Sequence, residues 1–127
     1  MAKTRQFTIT IPNQPGALAA ITRPLSAGKV NLVALLATSQ GTNATVQLIA
    51  ENPKKAKRAL DEAHISYQET PAEELTLINK AGALTQVLDR LAAKGVNLNS
   101  LYATAAKGGK RATVVYTAEA QAQTVSV

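Results

Sequence analysis

Apolar and polar residues alternate near the start of the chain, and then the period changes. Phe7, Ile9 and Ile11 fall on one side of residues 5–11, with threonines between them. This period of two predicts a strand with one buried face. After a loop with two prolines, leucine and isoleucine recur every three or four residues up to Leu25, which predicts an amphipathic helix.

Two further strands, a second helix and a last strand follow. Residues 33–37 are apolar without alternation, which is typical of a strand covered on both faces. The next strand is predicted over residues 44–50, a helix begins at Asn52-Pro53, and a short strand is predicted over residues 65–69. With right-handed crossovers, the order β-α-β-β-α-β predicts a four-stranded antiparallel sheet with two helices on one face, the ferredoxin-like α+β arrangement.

The segment from Asn13 to Leu32 occurs a second time as residues 79–98, without a gap and with an offset of 66. Nine of the twenty aligned positions are identical. Such internal repetition indicates a duplicated small domain. The second copy of the helix, with its apolar residues between Leu84 and Leu91, has the cleaner amphipathic pattern.

Proline and glycine mark the ends of the repeated helices. Pro15 is expected at a first helical position, and Gly28 and Gly95 are expected just past the two C-termini. Because these glycines differ by one position in the alignment, the helices are expected to end one residue apart. His64 is interpreted as a residue at a helix end, because no neighbour in sequence would orient its ring as a ligand or a base.

The repeat predicts two domains, one over residues 1–70 and one over residues 71–127, with the join at Pro71-Ala72. Residues 74–78 and 112–119 match strands of the first copy. Nothing matches its second helix and last strand, so the second module is expected to be truncated. Its end is either a stub or a place that a partner covers. The truncation and the strand with two apolar faces together favour a homodimer.

Composition and charge narrow the classes of function. The chain has no cysteine, which excludes disulfides and thiolate chemistry. We find no signal peptide and no apolar run of the roughly 20 residues that a membrane span needs, so we expect a cytoplasmic protein. The net charge is +6, and Lys54, Lys55, Lys57 and Arg58 form the densest basic cluster. Alanines interrupt this cluster at helical spacing, which favours a solvated helix face; nucleic-acid binding is the alternative.

The repeated sequence resembles a known family. A strand, the sequence N-x-P-G-A-L at Asn13–Leu18, an amphipathic helix, a glycine and then V-N-L at Val30–Leu32 are similar to the ACT domain, a small-molecule sensing module of amino-acid metabolic enzymes. Two copies without an attached enzyme resemble the stand-alone tandem ACT proteins. Such domains generally pair edge to edge and bind an amino acid at the seam between two copies. The resemblance therefore implies an allosteric regulator.

By position, the resemblance implies two equivalent ligand sites. The first would consist of Asn13, Gln14, Gly16, Ala17 and Leu18 with Asn97 and Leu98 of the other copy. The second would consist of Asn79, Lys80, Gly82, Ala83 and Leu84 with Asn31 and Leu32. The resemblance implies no cofactor and no metal.

The chemistry of these residue types supports a ligand site. A loop that enters a helix presents unpaired N–H groups and the positive end of the macrodipole, which attract a carboxylate. Glycine lets a ligand approach the backbone, and asparagine offers both a donor and an acceptor. A structural explanation stays open, because P-G-A-L also fits a tight turn and each asparagine could satisfy local backbone. In the second loop, Ala81 replaces the proline and Lys80 adds a charge, so that site could be altered, selective for a more acidic ligand, or empty.

Other classes of function have less support. The sequence shows no nucleophile–base pair, no metal-ligand set and no phosphate loop of the G-x-x-x-x-G-K type, so we do not expect an enzyme. RNA-recognition modules share the ferredoxin-like arrangement but stack bases on sheet aromatics, and the matching strands here carry one aromatic residue, Tyr116. The main alternative is a regulatory subunit of an amino-acid biosynthetic enzyme, similar to the small subunit of acetolactate synthase.

Overall fold

The computed structural model describes residues 2–119, which form an α+β structure. In chain order the elements are β1 (Ala2–Pro12), α1 (Ala17–Ala27), β2 (Leu32–Gln40), β3 (Asn43–Ala50), α2 (Pro53–Glu62), β4 (Gln68–Ile78), α3 (Ala83–Ala93), β5 (Leu98–Ala105) and β6 (Arg111–Ala118). The chain divides into two compact units. One is Arg5–Thr70, and the other is the chain from Pro71 onward together with the N-terminal residues up to Thr4.

The first unit contains the strand order β2-β3-β1, and both strand pairs are antiparallel. Phe7, Ile9 and Ile11 are buried, so the period of two in this strand is confirmed. They form one core with residues of both helices of the unit, including Leu25 and Leu60. The helix start predicted at Asn52-Pro53 is also confirmed, because the side chain of the N-cap residue accepts a hydrogen bond from Lys55 N and proline follows it.

β2 lies at the edge of the sheet, and the prediction that it is covered on both faces is wrong for this chain. Leu35 is 36% exposed and Leu36 is 40% exposed. The apolar run looked like a central strand because both of its faces are hydrophobic. In the first unit, however, β3 is its hydrogen-bonded neighbour on one side, and its other side is open.

The second unit contains the strand order β4-β6-β5, again with antiparallel pairs. Its core brings Leu75, Val87, Leu91, Val114 and Tyr116 together. The expected truncation of this module depends partly on residues 120–127, which lie outside the described residues. No helix within residues 2–119 is long and apolar enough to cross a membrane.

The helix ends differ from the sequence prediction. Pro15 lies in the loop, because α1 begins at Ala17 after Gly16 as its N-cap. α1 and α3 end at equivalent residues, Ala27 and Ala93, and not one residue apart. The two glycines have different positions and backbone conformations. Gly28 is the C-cap of α1 with φ −81°, whereas Gly95 follows the C-cap of α3 and has φ 74°. The left-handed residue that corresponds to Gly95 in the first copy is a lysine.

His64 follows the C-cap of α2 and is also left-handed, with φ 58°, so its place at a helix end is confirmed.

The strands predicted over residues 65–69 and 74–78 are one continuous strand, β4, which starts at Gln68 and runs to Ile78. The predicted join at Pro71-Ala72 therefore lies within a strand, next to the point where the two compact units divide. Proline is tolerated in a strand where no ladder hydrogen bond needs its missing N–H. Pro71 precedes Glu73, the first residue of β4 that pairs with β6, so this ladder loses no bond.

Candidate functional site

The loop between β1 and α1 is anchored to the turn between β2 and β3. The backbone N–H of Asn13 donates to Thr42 O at 2.9 Å, and Asn13 Nδ2 donates to Gly41 O at 3.1 Å. The N–H of Gln14 donates to Pro12 O at 3.0 Å. These bonds fix the start of α1 beside the last residues of β2.

The loop between β4 and α3 has the same hydrogen bonds in the second unit. The backbone N–H of Asn79 donates to Lys110 O at 2.9 Å, and Asn79 Nδ2 donates to Gly109 O at 3.0 Å. The N–H of Lys80 donates to Ile78 O at 2.9 Å. The geometry is therefore retained although the second loop lacks the proline of the first.

Both helices start from a glycine in the left-handed region. Gly16 has φ 84° and Gly82 has φ 87°. Neither glycine has an atom within 4 Å of the point where a Cβ would stand. The backbone angle, and not crowding, therefore favours glycine here.

The first turns of α1 and α3 leave N–H groups without partners. Neither N-cap residue makes a side-chain cap hydrogen bond. In α1, Ala17 N donates to Gln14 O, and Ala20 N makes the first bond back to Gly16 O. Within residues 2–119, the N–H groups of the two residues between them, Leu18 and Ala19, have no partner. α3 repeats this arrangement. Such unpaired donors at the positive end of a helix attract an anion.

A pocket opens beside each loop, and each lies within its own unit. The first has a volume of about 270 Å³. Its lining includes the predicted site residues Asn13, Gln14, Ala17 and Leu18, together with Ile11, Pro12, Ala37, Thr38, Ser39 and Ala44. A further pocket of about 390 Å³ lies against the same loop and includes Gly16 in its lining.

The second pocket, next to the second loop, has a volume of about 210 Å³. Its lining includes the predicted site residues Asn79, Lys80, Ala83 and Leu84, together with Leu77, Ile78, Ala103, Thr104, Ala105, Ala112 and Val114. The two pockets differ in charge, because the cation Lys80 stands where the first pocket has neutral Gln14.

Asn31 and Asn97 lie elsewhere in their own units. Asn31 directly precedes β2, and its Nδ2 donates to Glu51 Oε1 at 3.2 Å. Asn97 directly precedes β5, and its Nδ2 donates to a carboxylate oxygen of Glu119. The pockets lie at the other ends of these strands. With their neighbours Leu32 and Leu98, these asparagines therefore do not meet the loop of their own copy. Their expected role at the loop of another copy stays a prediction.

Sequence reasoning missed two features of these sites. Thr38, Ser39 and Thr104 line the pockets from the strand ends, and the hydrophobic period of the strands offers no reason to single them out. The asparagine–glutamate pairs did have a signal, because Ala-Glu ends the matching strand segment in both copies, at Glu51 and Glu119. Within residues 2–119, no group of three His, Cys, Asp or Glu could hold a metal ion.

Comparisons with known proteins find similarity in structure. No family model matches the chain, and no curated protein matches it significantly. A solved structure from Bacteroides thetaiotaomicron has a TM-score of 0.82 and 29% identity, over 92% of this chain and 80% of that one. The ligand-free regulatory subunit of aspartate kinase from Thermus thermophilus has a TM-score of 0.66 and 17% identity, over 92% of this chain and 83% of that one. Together these matches show an ACT-like fold.

A catalytic enzyme also contains a similar segment. Aspartokinase III from E. coli, solved in complex with lysine and aspartate, has a TM-score of 0.51 and 14% identity. The match covers 91% of this chain but 28% of that one. At this identity the likeness concerns the fold alone.

Proposed function

We propose that this chain is a regulatory protein with two ACT modules, residues 1–70 and residues 71–127, that binds an amino acid or a similar small carboxylate at its loop pockets. The observation that carries the proposal is the double occurrence of one loop. In both units the same hydrogen bonds, a left-handed glycine and unpaired helix N–H groups stand next to a pocket.

The chemistry of the first pocket suits an amino acid. The N–H groups of Leu18 and Ala19 are placed to receive a carboxylate. Among residues 2–119, the side chain of Asn13 makes its hydrogen bond through Nδ2 and none through Oδ1, so Oδ1 can accept from an ammonium group. Pockets for drug-sized ligands measure about 300–1,000 Å³, so a volume of about 270 Å³ fits a smaller metabolite.

The second pocket suits a ligand with more negative charge. Lys80 adds a cation beside the N-terminus of α3. A charge-assisted hydrogen bond contributes about 1.5–3 kcal/mol. We therefore expect the two pockets to differ in affinity for the same ligand.

The comparisons support the regulatory role. Proteins described as regulatory subunits of aspartate kinase share this fold, and the E. coli aspartokinase III structure contains two amino acids. We propose by analogy that ligand binding here alters association, either between two copies of this chain or with a catalytic partner. A ligand can shift such an equilibrium only by its differential affinity for the two states.

A second candidate is a subunit that works only with a catalytic enzyme. The similarity to regulatory subunits favours it, and the small subunit of acetolactate synthase is the example that the sequence resembles. In that case the pocket could be incomplete until the partner is bound.

A thermal-shift screen of the twenty amino acids tests the proposal. A ligand that binds the folded state stabilises it by about 2.7 kcal/mol at a hundredfold excess over Kd, so we expect one amino acid or a related group to raise Tm. The matched variants Ala17→Asp and Ala83→Asp each place a carboxylate at one helix N-terminus, where it competes with the ligand; its favourable interaction with the helix dipole offsets part of the cost of a charge at a half-buried position.

Each variant should weaken the ligand's effect at its own pocket while the protein stays folded. If one amino acid raises Tm equally in the wild type and in both variants, the ligand binds elsewhere and the proposed pockets are wrong. If no amino acid raises Tm, the free-standing sensor is wrong, and copurification with a catalytic enzyme becomes the test of the second candidate.

A further inference from the structure

Five basic side chains form a surface on the first unit that the pockets do not use. We call it the basic surface, and it consists of Lys29, Lys54, Lys55, Lys57 and Arg58. All five are exposed, and they make up five of the 14 Lys and Arg residues of the chain. Among residues 2–119, none of the five forms an ion pair with a carboxylate.

The charges of α2 are arranged against the stability of the helix. Cations are favourable near a helix C-terminus and anions near the N-terminus, each by about 0.3–1 kcal/mol. In α2 the four cations lie within residues 54–58 and Asp61 and Glu62 lie at the end, with no acidic residue in the first turn and no basic residue in the last. Lys54 and Arg58 are like charges at i,i+4, which repel each other, whereas Lys57–Asp61 and Arg58–Glu62 are opposite charges at the same spacing. The unfavourable arrangement is therefore that of the helix ends, where the cations of the first turn face the positive end of the dipole.

Lys29 is the second observation, and it is independent of α2. It is left-handed with φ 59°, a conformation that is uncommon for residues other than glycine. The equivalent residue of the second copy is Gly95, with φ 74°. The first copy therefore carries a lysine where glycine would be easier, and its carbonyl accepts a hydrogen bond from Lys55 Nζ at 3.1 Å. This bond joins Lys29 to the cations of α2.

The basic surface is remote from the proposed effector pocket of the same unit. Lys29 precedes β2 and α2 follows β3, whereas the pocket is lined by residues at the opposite ends of these two strands. An eight-residue strand such as β3 spans roughly 25 Å at about 3.3 Å per residue. The basic surface is thus a separate feature.

The composition of α2 indicates which kind of partner fits. Asp61 and Glu62 lie one turn beyond the cations on the same exposed side, where they would repel the continuous phosphates of a nucleic acid. α2 contains no aromatic residue, so the surface lacks the aromatic platforms on which single-strand binders stack bases. A protein surface with a limited group of carboxylates can match the cations and avoid the acidic end.

We propose that the basic surface docks an acidic surface of a partner protein. Electrostatic complementarity of this kind mainly steers association and selects the partner. The interaction goes beyond effector binding, because it needs neither pocket.

The test measures binding of a fluorescently labelled oligoglutamate peptide to the full chain by anisotropy at low salt. In the variant Lys54→Gln/Lys57→Gln we expect affinity to fall about tenfold, since charges at the centre of such a contact control binding. The control Lys3→Gln/Lys107→Gln removes the same net charge outside the surface and should change affinity by less than about twofold. Because a cation at the start of α2 opposes the helix dipole, Lys54→Gln/Lys57→Gln should keep or raise the wild-type Tm, and the control should keep it.

Two results would overturn the proposal. One is an equal loss of peptide affinity in both variants, which would show that only net charge matters. The other is a DNA duplex that binds more tightly than a peptide of equal charge and loses affinity in Lys54→Gln/Lys57→Gln, which would make the surface a nucleic-acid site.

Discussion

At the scale of single residues, Lys29 and Gly95 allow a direct comparison of two side chains at one backbone position. Both follow a helix C-cap and both are left-handed, at φ 59° and 74°. A residue with a Cβ costs roughly 1–2 kcal/mol in this region, and part of that is offset because glycine is more flexible in the unfolded chain.

We therefore expect Lys29→Gly to stabilise the protein by about 1 kcal/mol. The reciprocal change, Gly95→Lys, should destabilise it by a similar amount. Chemical denaturation of the three proteins measures both differences. If Lys29→Gly is destabilising, the side chain of Lys29 contributes to folding, and the lysine then needs no partner to explain it.

The single residues of the loops also show why the candidate site was only partly predictable. Gly16, Gly82 and the two loop asparagines were singled out because they are repeated in the sequence. Their local contacts were not foreseen: Asn13 and Asn79 hold the hairpin turns through Nδ2. Sequence spacing identifies such a residue but does not show which of its two amide ends is already engaged.

At the scale of the elements, the α2–β4 connection is held by Tyr67. Its hydroxyl donates to Asp61 Oδ1 at 2.9 Å, and its ring packs edge-on against Phe7 with centroids 5.3 Å apart. Burial raises the pKa of Tyr67 to about 12, with further contributions from the hydrogen bond and the charge of Asp61 and from the charge of Glu69.

This pKa predicts a loss of stability in alkaline solution. The unfolded tyrosine ionises near pH 10.0, whereas the folded one stays neutral until about 12. The stabilisation is therefore complete below pH 10 and disappears as the pH rises from 10 towards 12. Tyr67→Phe keeps the ring contact but has no ionisable hydroxyl. We expect its free energy of unfolding to fall less than that of the wild type between pH 10 and pH 12 in denaturation experiments. Parallel curves for the two proteins would contradict the assignment.

Elements whose sequence has one clear hydrophobic period were predicted correctly. Strands whose position depends on the strands they pair with were not. The alternation around Ile9 and the cap at Asn52 depend on residues close in sequence, and both are confirmed. The edge position of β2 and the continuous course of β4 through Pro71 depend on which strands pair. Periodicity carries no information about strand order, so an apolar edge strand and a central strand look alike.

At the scale of the whole molecule, the edge position of β2 is relevant to the proposed association of two copies. An edge strand has unpaired backbone groups that can pair with another strand, and here Leu32, Leu35 and Leu36 are exposed along it. The domains that this sequence resembles pair edge to edge. The edge of β2 is therefore the surface through which we expect a homodimer to form.

The variant Leu36→Lys tests this association. Burial of one leucine contributes about 1.5–3 kcal/mol, and every 1.4 kcal/mol is about tenfold in affinity, so the dimer should weaken by at least about tenfold. Thr10→Lys is the matched control, because Thr10 is also an exposed strand residue but belongs to β1 and not to β2. Sedimentation equilibrium over a range of concentrations measures both. Equal association of the two variants would exclude the edge of β2, and a monomeric wild type would favour the subunit that needs a catalytic partner. If the ligand bridges two copies, Leu36→Lys should also weaken the effect of the amino acid on Tm, because binding and association are reciprocally linked.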